Sequence, residues 1–178
     1  LPLELTDVAF NKVYDNPNSF GKTYGEHREF LEFNIEQHAD LKKYAESKEI
    51  TYFCTPCDPV SVDQLESISC PFYKVASRDI TNIPLLEKLF NVGKPVIIST
   101  GMASMDEIKE AVDIFQKNLN KLIIMHCVSE YPTNIKNVNL NRIKTLKREF
   151  PTIIGCSDHS NGVIVGVASV LFGASIIE

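Results

Sequence analysis

The feature that most restricts this chain is a strict alternation. From residue 50 onward, short continuous apolar runs take turns with segments of helical periodicity. The runs read as strands over 50–54, 72–76, 95–99, 122–127, 153–156 and 175–177. The segments between them read as helices. One covers 61–68 with Ser61 as its cap, and one covers 84–91, opened by Pro84 and stopped by Gly93. The next covers 104–117, with Ser104 and Glu107 forming a capping box, and the last two cover 139–150 and 162–172. The strands are uniformly apolar rather than alternating, as in a parallel sheet covered by helices on its faces. Strict βα alternation predicts an α/β fold. Such a sheet is either open and doubly wound or closed into a (β/α)8 barrel. The open form usually carries a Gly-rich turn after its first strand. Here Gly93-Lys94-Pro95 precedes a strand instead, so the barrel is the expectation.

Ahead of the repeat, residues 26–48 predict a helix, with Phe30, Phe33, Ile35, His38, Leu41, Tyr44 and Ala45 near one face. Residues 1–25 carry Asn11, Asn16-Pro17-Asn18, Gly21 and Gly25 and read as a loop or lid. His27 and His38 read as surface or face-edge residues.

Composition removes several classes of function. A net charge of −5 and a pI near 5.4 leave no basic footprint for nucleic acid. No apolar run has the length of a membrane span. The five cysteines (54, 57, 70, 127 and 156) are scattered through apolar runs, which suits a reducing, cytoplasmic setting. Cys54-Thr55-Pro56-Cys57 matches C-x-x-C, but Asp58-Pro59 follows where a redox pair uses a helix start, and no second pair completes a zinc site. The chain starts at Leu1-Pro2 without an initiator methionine and stops on a strand-like run, so a longer parent protein is expected.

Barrel enzymes place their chemistry where strands end. The polar residues of this chain collect there: Thr55, then Lys74 and Ser77, then Ser99-Thr100, then His126 to Tyr131, then Ser157-Asp158-His159, and finally Glu178. A lysine inside an apolar strand is costly unless it meets an anion. That anion is either a core carboxylate or a bound phosphate or carboxylate. Lys74, Thr55, Ser77 and Ser157 together offer one cation and three hydroxyls, a set suited to a phosphate monoester. His159 reads as a structural histidine, a general base or a metal ligand, and Glu178 is a carboxylate able to join it. Asp79 and Glu130 are possible acceptors for sugar hydroxyls.

Several motifs then fall in register with one family. They are Thr55-Pro56, Tyr73-Lys74-Val75-Ala76-Ser77, Pro95 to Met102, His126 to Pro132, Val138-Asn139-Leu140 and Gly155 to His159. The chain resembles the sialic acid synthases, the N-acetylneuraminate synthases with their legionaminic and pseudaminic acid relatives, from about Gly21 to Glu178. The resemblance implies a (β/α)8 barrel, here covering about strands 3–8 over residues 26–178. It implies condensation of phosphoenolpyruvate with an N-acetylated aminosugar, such as N-acetylmannosamine or a related deoxy sugar, and water. The products would be a nonulosonic acid and phosphate. It implies a divalent metal, Mn²⁺ or Mg²⁺, and a homodimer of the full-length protein. By position, Thr55, Lys74, Ser77 and Ser157 look like phosphoenolpyruvate contacts, with Ser129 beside them. Asp79 and Tyr131 look like sugar contacts, and Lys74, Tyr131 and Glu178 like the catalytic groups. His159 looks like one of two metal-ligating histidines, with Glu178 just before the second.

The departures from the family pattern are equally specific. Its first two strands, its second histidine and its C-terminal antifreeze-like domain have no counterpart in these 178 residues, so the fragment alone is expected to be inactive. Arg78 stands where glycine is usual. Two other readings remain: a barrel aldolase using Lys74 as a Schiff-base amine, and a non-catalytic fragment.

Overall fold

The computed structural model describes residues 5–178. Contacts divide the chain into two units. One runs to Tyr52 and includes Asp63–Ser69; the other comprises Phe53–Val62 and Cys70–Glu178.

In the first unit, the segment expected as loop contains helix α1 (Asp7–Phe10) and an antiparallel bridge between Val13 and Thr23. The helix expected over 26–48 is two helices, α2 (Tyr24–Leu31) and α3 (Ile35–Ser47). Capping explains the break. Asn34 accepts from the Gln37 N–H while the Gln37 side chain accepts from the Asn34 N–H, and Thr23 with Glu26 does the same for α2. Two reciprocal caps specify two starts, whatever the hydrophobic period suggests. Packing contributes little here, since Phe30, Phe33 and Tyr44 are each more than half exposed. Phe20 stacks on Phe30 at 4.5 Å between centroids. His38 is satisfied by the Tyr52 hydroxyl at 2.6 Å, and His27 accepts the Phe20 N–H at 3.2 Å.

The second unit is built on a sheet. Helix α4 (Pro59–Ser67), whose residues are shared between the two units, starts two residues earlier than the Ser61 cap predicted. The cap is Asp58, which accepts from the Ser61 N–H at 2.9 Å and the Ser61 hydroxyl at 2.6 Å. Pro59 follows in the first helical position, where a missing N–H costs nothing. Strands β1 (Tyr73–Val75), β2 (Val96–Ser99), β3 (Leu122–Cys127) and β4 (Ile153–Ser157) then alternate with α5 (Ile83–Val92), α6 (Met105–Ile114) and α7 (Asn141–Glu149); α8 (Ile164–Leu171) follows. All neighbours are parallel, in the order β1-β2-β3-β4. The predicted outer strands at 50–54 and 175–177 are reduced to single parallel bridges, Cys54 to Tyr73 and Ile177 to Cys156. The last run still hydrogen-bonds along β4: the Ser175 N–H donates to the Ile154 carbonyl at 2.8 Å, and the Cys156 N–H to the Ile176 carbonyl and the Glu178 N–H to the Cys156 carbonyl at 2.9 Å each. The remaining sequence boundaries lie within a few residues, the largest difference being α6, which ends at Ile114 before a 3₁₀ turn over Gln116–Lys121.

Alternate residues separate the two faces of the sheet. Tyr73, Val75, Val96, Ile98, Leu122, Ile124, Ile154 and Cys156 are buried on the helix-covered face, as are Leu85, Leu86 and Leu89 of α5 and Ile143 and Leu146 of α7. Lys74, Ile97, Ile123 and Met125 point the other way and line a cavity of about 470 Å³. That face is concave. Lys74 on β1 and Glu178 beyond β4 are four strand spacings apart, roughly 19 Å across a flat sheet at about 4.8 Å per spacing. Yet the Lys74 Nζ lies 3.1 Å from the Glu178 Oε1. Only a strongly curled sheet allows this, and the second unit is accordingly part of a barrel wall.

Candidate functional site

The C-terminal strand ends gather most of the polar residues singled out in the sequence. Lys74 is carried by β1, held in register by the Lys74 N–H to the Cys54 carbonyl at 3.1 Å. Its side chain is 14% exposed, and Glu178 supplies the countercharge. The backbone of Glu178 is fixed on β4: its N–H donates to the Cys156 carbonyl, and its carbonyl accepts from the Asp158 N–H, both at 2.9 Å.

Gly101, just past β2, is the point of closest convergence. Its N–H donates to the Ser77 Oγ at 2.9 Å. A Cβ placed on Gly101 would lie 2.4 Å from the Ser129 Oγ, 2.9 Å from the Cys127 Sγ and 3.0 Å from the Ser77 Oγ. Three side chains, Ser77 from the end of β1 and Cys127 and Ser129 from the end of β3, therefore meet on one glycine. Ser157, paired in register with Cys127, continues this arc, and its Oγ is 3.4 Å from the His159 Nε2.

His159 is oriented by β3. Its Nδ1 is 2.9 Å from the Val128 carbonyl, which only accepts, so Nδ1 carries the proton and a neutral ring leaves Nε2 with its lone pair. The Tyr131 ring lies 4.2 Å from the imidazole, centroid to centroid. The loop bearing Tyr131 is braced at its base. His126 donates Nε2–H to the Val138 carbonyl at 2.7 Å, and burial keeps its pKa below the usual 6.5. Glu130 accepts from the Asn137 side chain and the Asn134 N–H, which hold its carboxyl below the ordinary range. Glu130 is thus engaged in folding its own loop, and the reading of it as a sugar acceptor is withdrawn.

Asp79 lies in the 3₁₀ turn after β1 with Arg78 Nε at 3.3 Å. Arg78 is spanned between Asp79 and Cys57, donating to the Cys57 Sγ at 3.0 Å. Thr55 is exposed and makes no side-chain hydrogen bond to the other residues of the group. Two residues gain weight that sequence reasoning did not give them. Ser99 is buried at the end of β2, in register with Met125 of the concave face, and its hydroxyl has no partner. Cys127, read as an apolar strand residue, sits between Gly101 and His159, with its Sγ 3.9 Å from the imidazole Nδ1. Its position at the end of β3 was the available signal.

The donor set can be tested against a metal. No group of three His, Cys, Asp or Glu able to hold one occurs among the described residues. His159 alone suits a ligand: its second nitrogen is tied to a carbonyl, the usual arrangement behind a metal-bound imidazole. Burial pushes the Cys156 thiol up to about 11. Among the described residues, no helix is long and apolar enough to cross a membrane.

Comparison with known proteins places this geometry in context. The NeuB family model matches residues 4–178. The chain is 39% identical to human N-acetylneuraminate-9-phosphate synthase over all of its own length and 50% of that protein's. It is 38% identical to the N,N'-diacetyllegionaminic acid synthase of Campylobacter jejuni over 83% of the chain and 45% of that enzyme. Among solved structures it is similar to the N-acetylneuraminic acid synthetase of Leptospira borgpetersenii in complex with citrate. That match has a TM-score of 0.83 and 40% identity, and covers 89% of this chain and 56% of that one. The chain thus spans about half the length of the relatives it matches.

Proposed function

The chain belongs to the NeuB family, and on that premise we propose that it carries the phosphate-holding half of a nonulosonic acid synthase site. The substrates are phosphoenolpyruvate, an N-acetylated aminosugar in its open-chain aldehyde form, and water. The reaction joins carbon 3 of phosphoenolpyruvate to the aldehyde carbon. Water adds at carbon 2, and the bond from that carbon to the phosphate oxygen breaks. The products are a 2-keto sugar acid and inorganic phosphate.

One observation carries this reading: the curl that turns a shielded ammonium, Lys74, toward the same concave face on which strand-end hydroxyls gather at Gly101. Lys74 neutralises the phosphate, and Ser77, Ser129, Ser157 and Thr55 donate to its oxygens, with the unpartnered hydroxyl of Ser99 an added donor. Asp79 and Tyr131 orient the sugar, Tyr131 from beside the imidazole. Glu178 orients or deprotonates the attacking water. A divalent metal, Mn²⁺ or Mg²⁺, held by the His159 Nε2 and further ligands, would supply Lewis acidity at the aldehyde oxygen. Positioning two reactants and stabilising charge account for most of the acceleration. A homodimer in the cytoplasm completes the proposal. The aldolase alternative is not favoured, because the relatives that the chain matches are named as synthases.

The test is phosphate release by the complete protein, given phosphoenolpyruvate, Mn²⁺ and a panel of N-acetylated aminosugars. Release with at least one sugar is expected. No release with any of them, in protein of verified intact mass, overturns the reading.

A further inference from the structure

The Lys74–Glu178 pair is asymmetric in a way that assigns it a second role. Among the described residues, the cavity around it is otherwise apolar, lined by residues such as Phe53, Phe72, Ile97 and Met125, with Lys74 its one cation and Glu178 its one anion. A shielded ammonium in such surroundings requires a countercharge. The lysine side chain is 14% exposed and the glutamate side chain 46%. The lysine nitrogen is therefore held in the cavity with this carboxylate as its countercharge. Only that side chain is free to swing, because the Glu178 backbone is pinned on both sides to β4.

A phosphate monoester delivered to Lys74 would meet this carboxylate at the same nitrogen. Two anionic groups crowded on one ammonium repel each other, and in a poorly solvated pocket that repulsion is weakly screened. A phosphate monoester carries more negative charge than a carboxylate, so the carboxylate is the one that yields. Resting on the phosphoenolpyruvate reading above, we infer that Glu178 is an exchangeable counter-ion. It neutralises Lys74 while the site holds no phosphate, and it is displaced from the ammonium when the phosphate group binds. Phosphate binding then also frees the carboxylate for work on water. Glu178 is a positioning residue in the empty site, and it competes with substrate for the same cation.

The test measures binding of inorganic phosphate and of phosphoenolpyruvate to the complete protein by titration calorimetry, without sugar. Wild type is compared with Glu178→Gln and Glu178→Ala. Both variants are expected to bind the two anions at least about tenfold more tightly, the scale of one unit-charge contact only partly screened by water. Their kcat is expected to fall at the same time. Loss of folding cannot imitate this pattern, because damage weakens binding. Equal or weaker anion binding by both variants overturns the counter-ion role, while the synthase reading stands if wild type still releases phosphate. Tighter binding by both, with no turnover of any aminosugar by wild type, supports the counter-ion role and overturns the synthase reading. No binding of either anion by wild type overturns both.

Discussion

The two units of this chain reach helical structure by different routes. In the wall unit, α5 buries Leu85, Leu86 and Leu89 completely, and its helix exists as part of a packed layer. In the N-terminal unit, α3 buries none of its residues, although its sequence is amphipathic, and α2 buries only Gly25. What defines those two helices is the reciprocal hydrogen bonding of Thr23 with Glu26 and of Asn34 with Gln37. Caps of this kind set where a helix begins, but each contributes only about 1 kcal/mol. The contrast separates specification from stabilisation: the wall has both, and the N-terminal unit has mainly the first.

Five tests sharpen this contrast or break it. The largest expected effect is on chemistry in the wall. Lys74→Ala in the complete protein should lower phosphate release on the order of a thousandfold; near-normal turnover would remove Lys74 from its assigned role. Next is a matched pair of core tests read by denaturant unfolding. Leu85→Ala should cost about 2–5 kcal/mol, whereas Phe30→Ala, at 66% exposure, should cost less than about 0.5 kcal/mol. Similar losses would show that the N-terminal aromatic residues are packed after all. Gly101→Ala comes third. The new methyl would press on Ser77, Cys127 and Ser129, so roughly a hundredfold loss of turnover is expected with about 1–3 kcal/mol of destabilisation.

The fourth test uses pH. His126 has its pKa lowered by burial, so the folded protein binds its proton less readily than the unfolded chain. The unfolded chain takes up that proton as pH falls through about 6.5, and stability should decline from there downward. A melting-temperature series between pH 7.5 and 5.5 should show a slope that His126→Gln reduces. The smallest effect should come from the N-terminal unit. His27→Ala removes only an acceptor for the Phe20 N–H and two ring contacts, and turnover should stay within about twofold.

The same contrast explains what could be read from sequence. The wall was legible because its signals are repeated: continuous apolar runs, a Pro84 start, a Gly93 stop and the Ser104–Glu107 box all agree, and the structure follows them closely. The break between α2 and α3 was visible in Asn34 and Gln37, but a hydrophobic period running across it concealed the stop. At α4 the Asp58-Pro59 pair was the true start, and Ser61 competed with it as an apparent cap. The runs at 50–54 and 175–177 had strand composition and do pair in parallel, Cys54 with Tyr73 and Ile177 with Cys156, but composition did not give the extent of that pairing.

For the site, strand ends gave the membership of the group but not its contacts. That Ser77, Cys127 and Ser129 meet on Gly101 depends on parallel register across three strands. That Arg78 turns to Cys57 and Asp79 depends on the loop after the first run. Neither relation is encoded in local spacing. The unpartnered hydroxyl of Ser99 is likewise a tertiary property, since any serine at a strand end looks like a cap when read alone.

The charge contact between Lys74 and Glu178 also bears on how the wall assembles. Its two members lie far apart in the sequence, so closing it before the strands pair would confine the intervening chain for the return of a single contact. The contact becomes cheap only after each intermediate strand has found its neighbour. It is therefore expected to close only once the strands between Lys74 and Glu178 have paired.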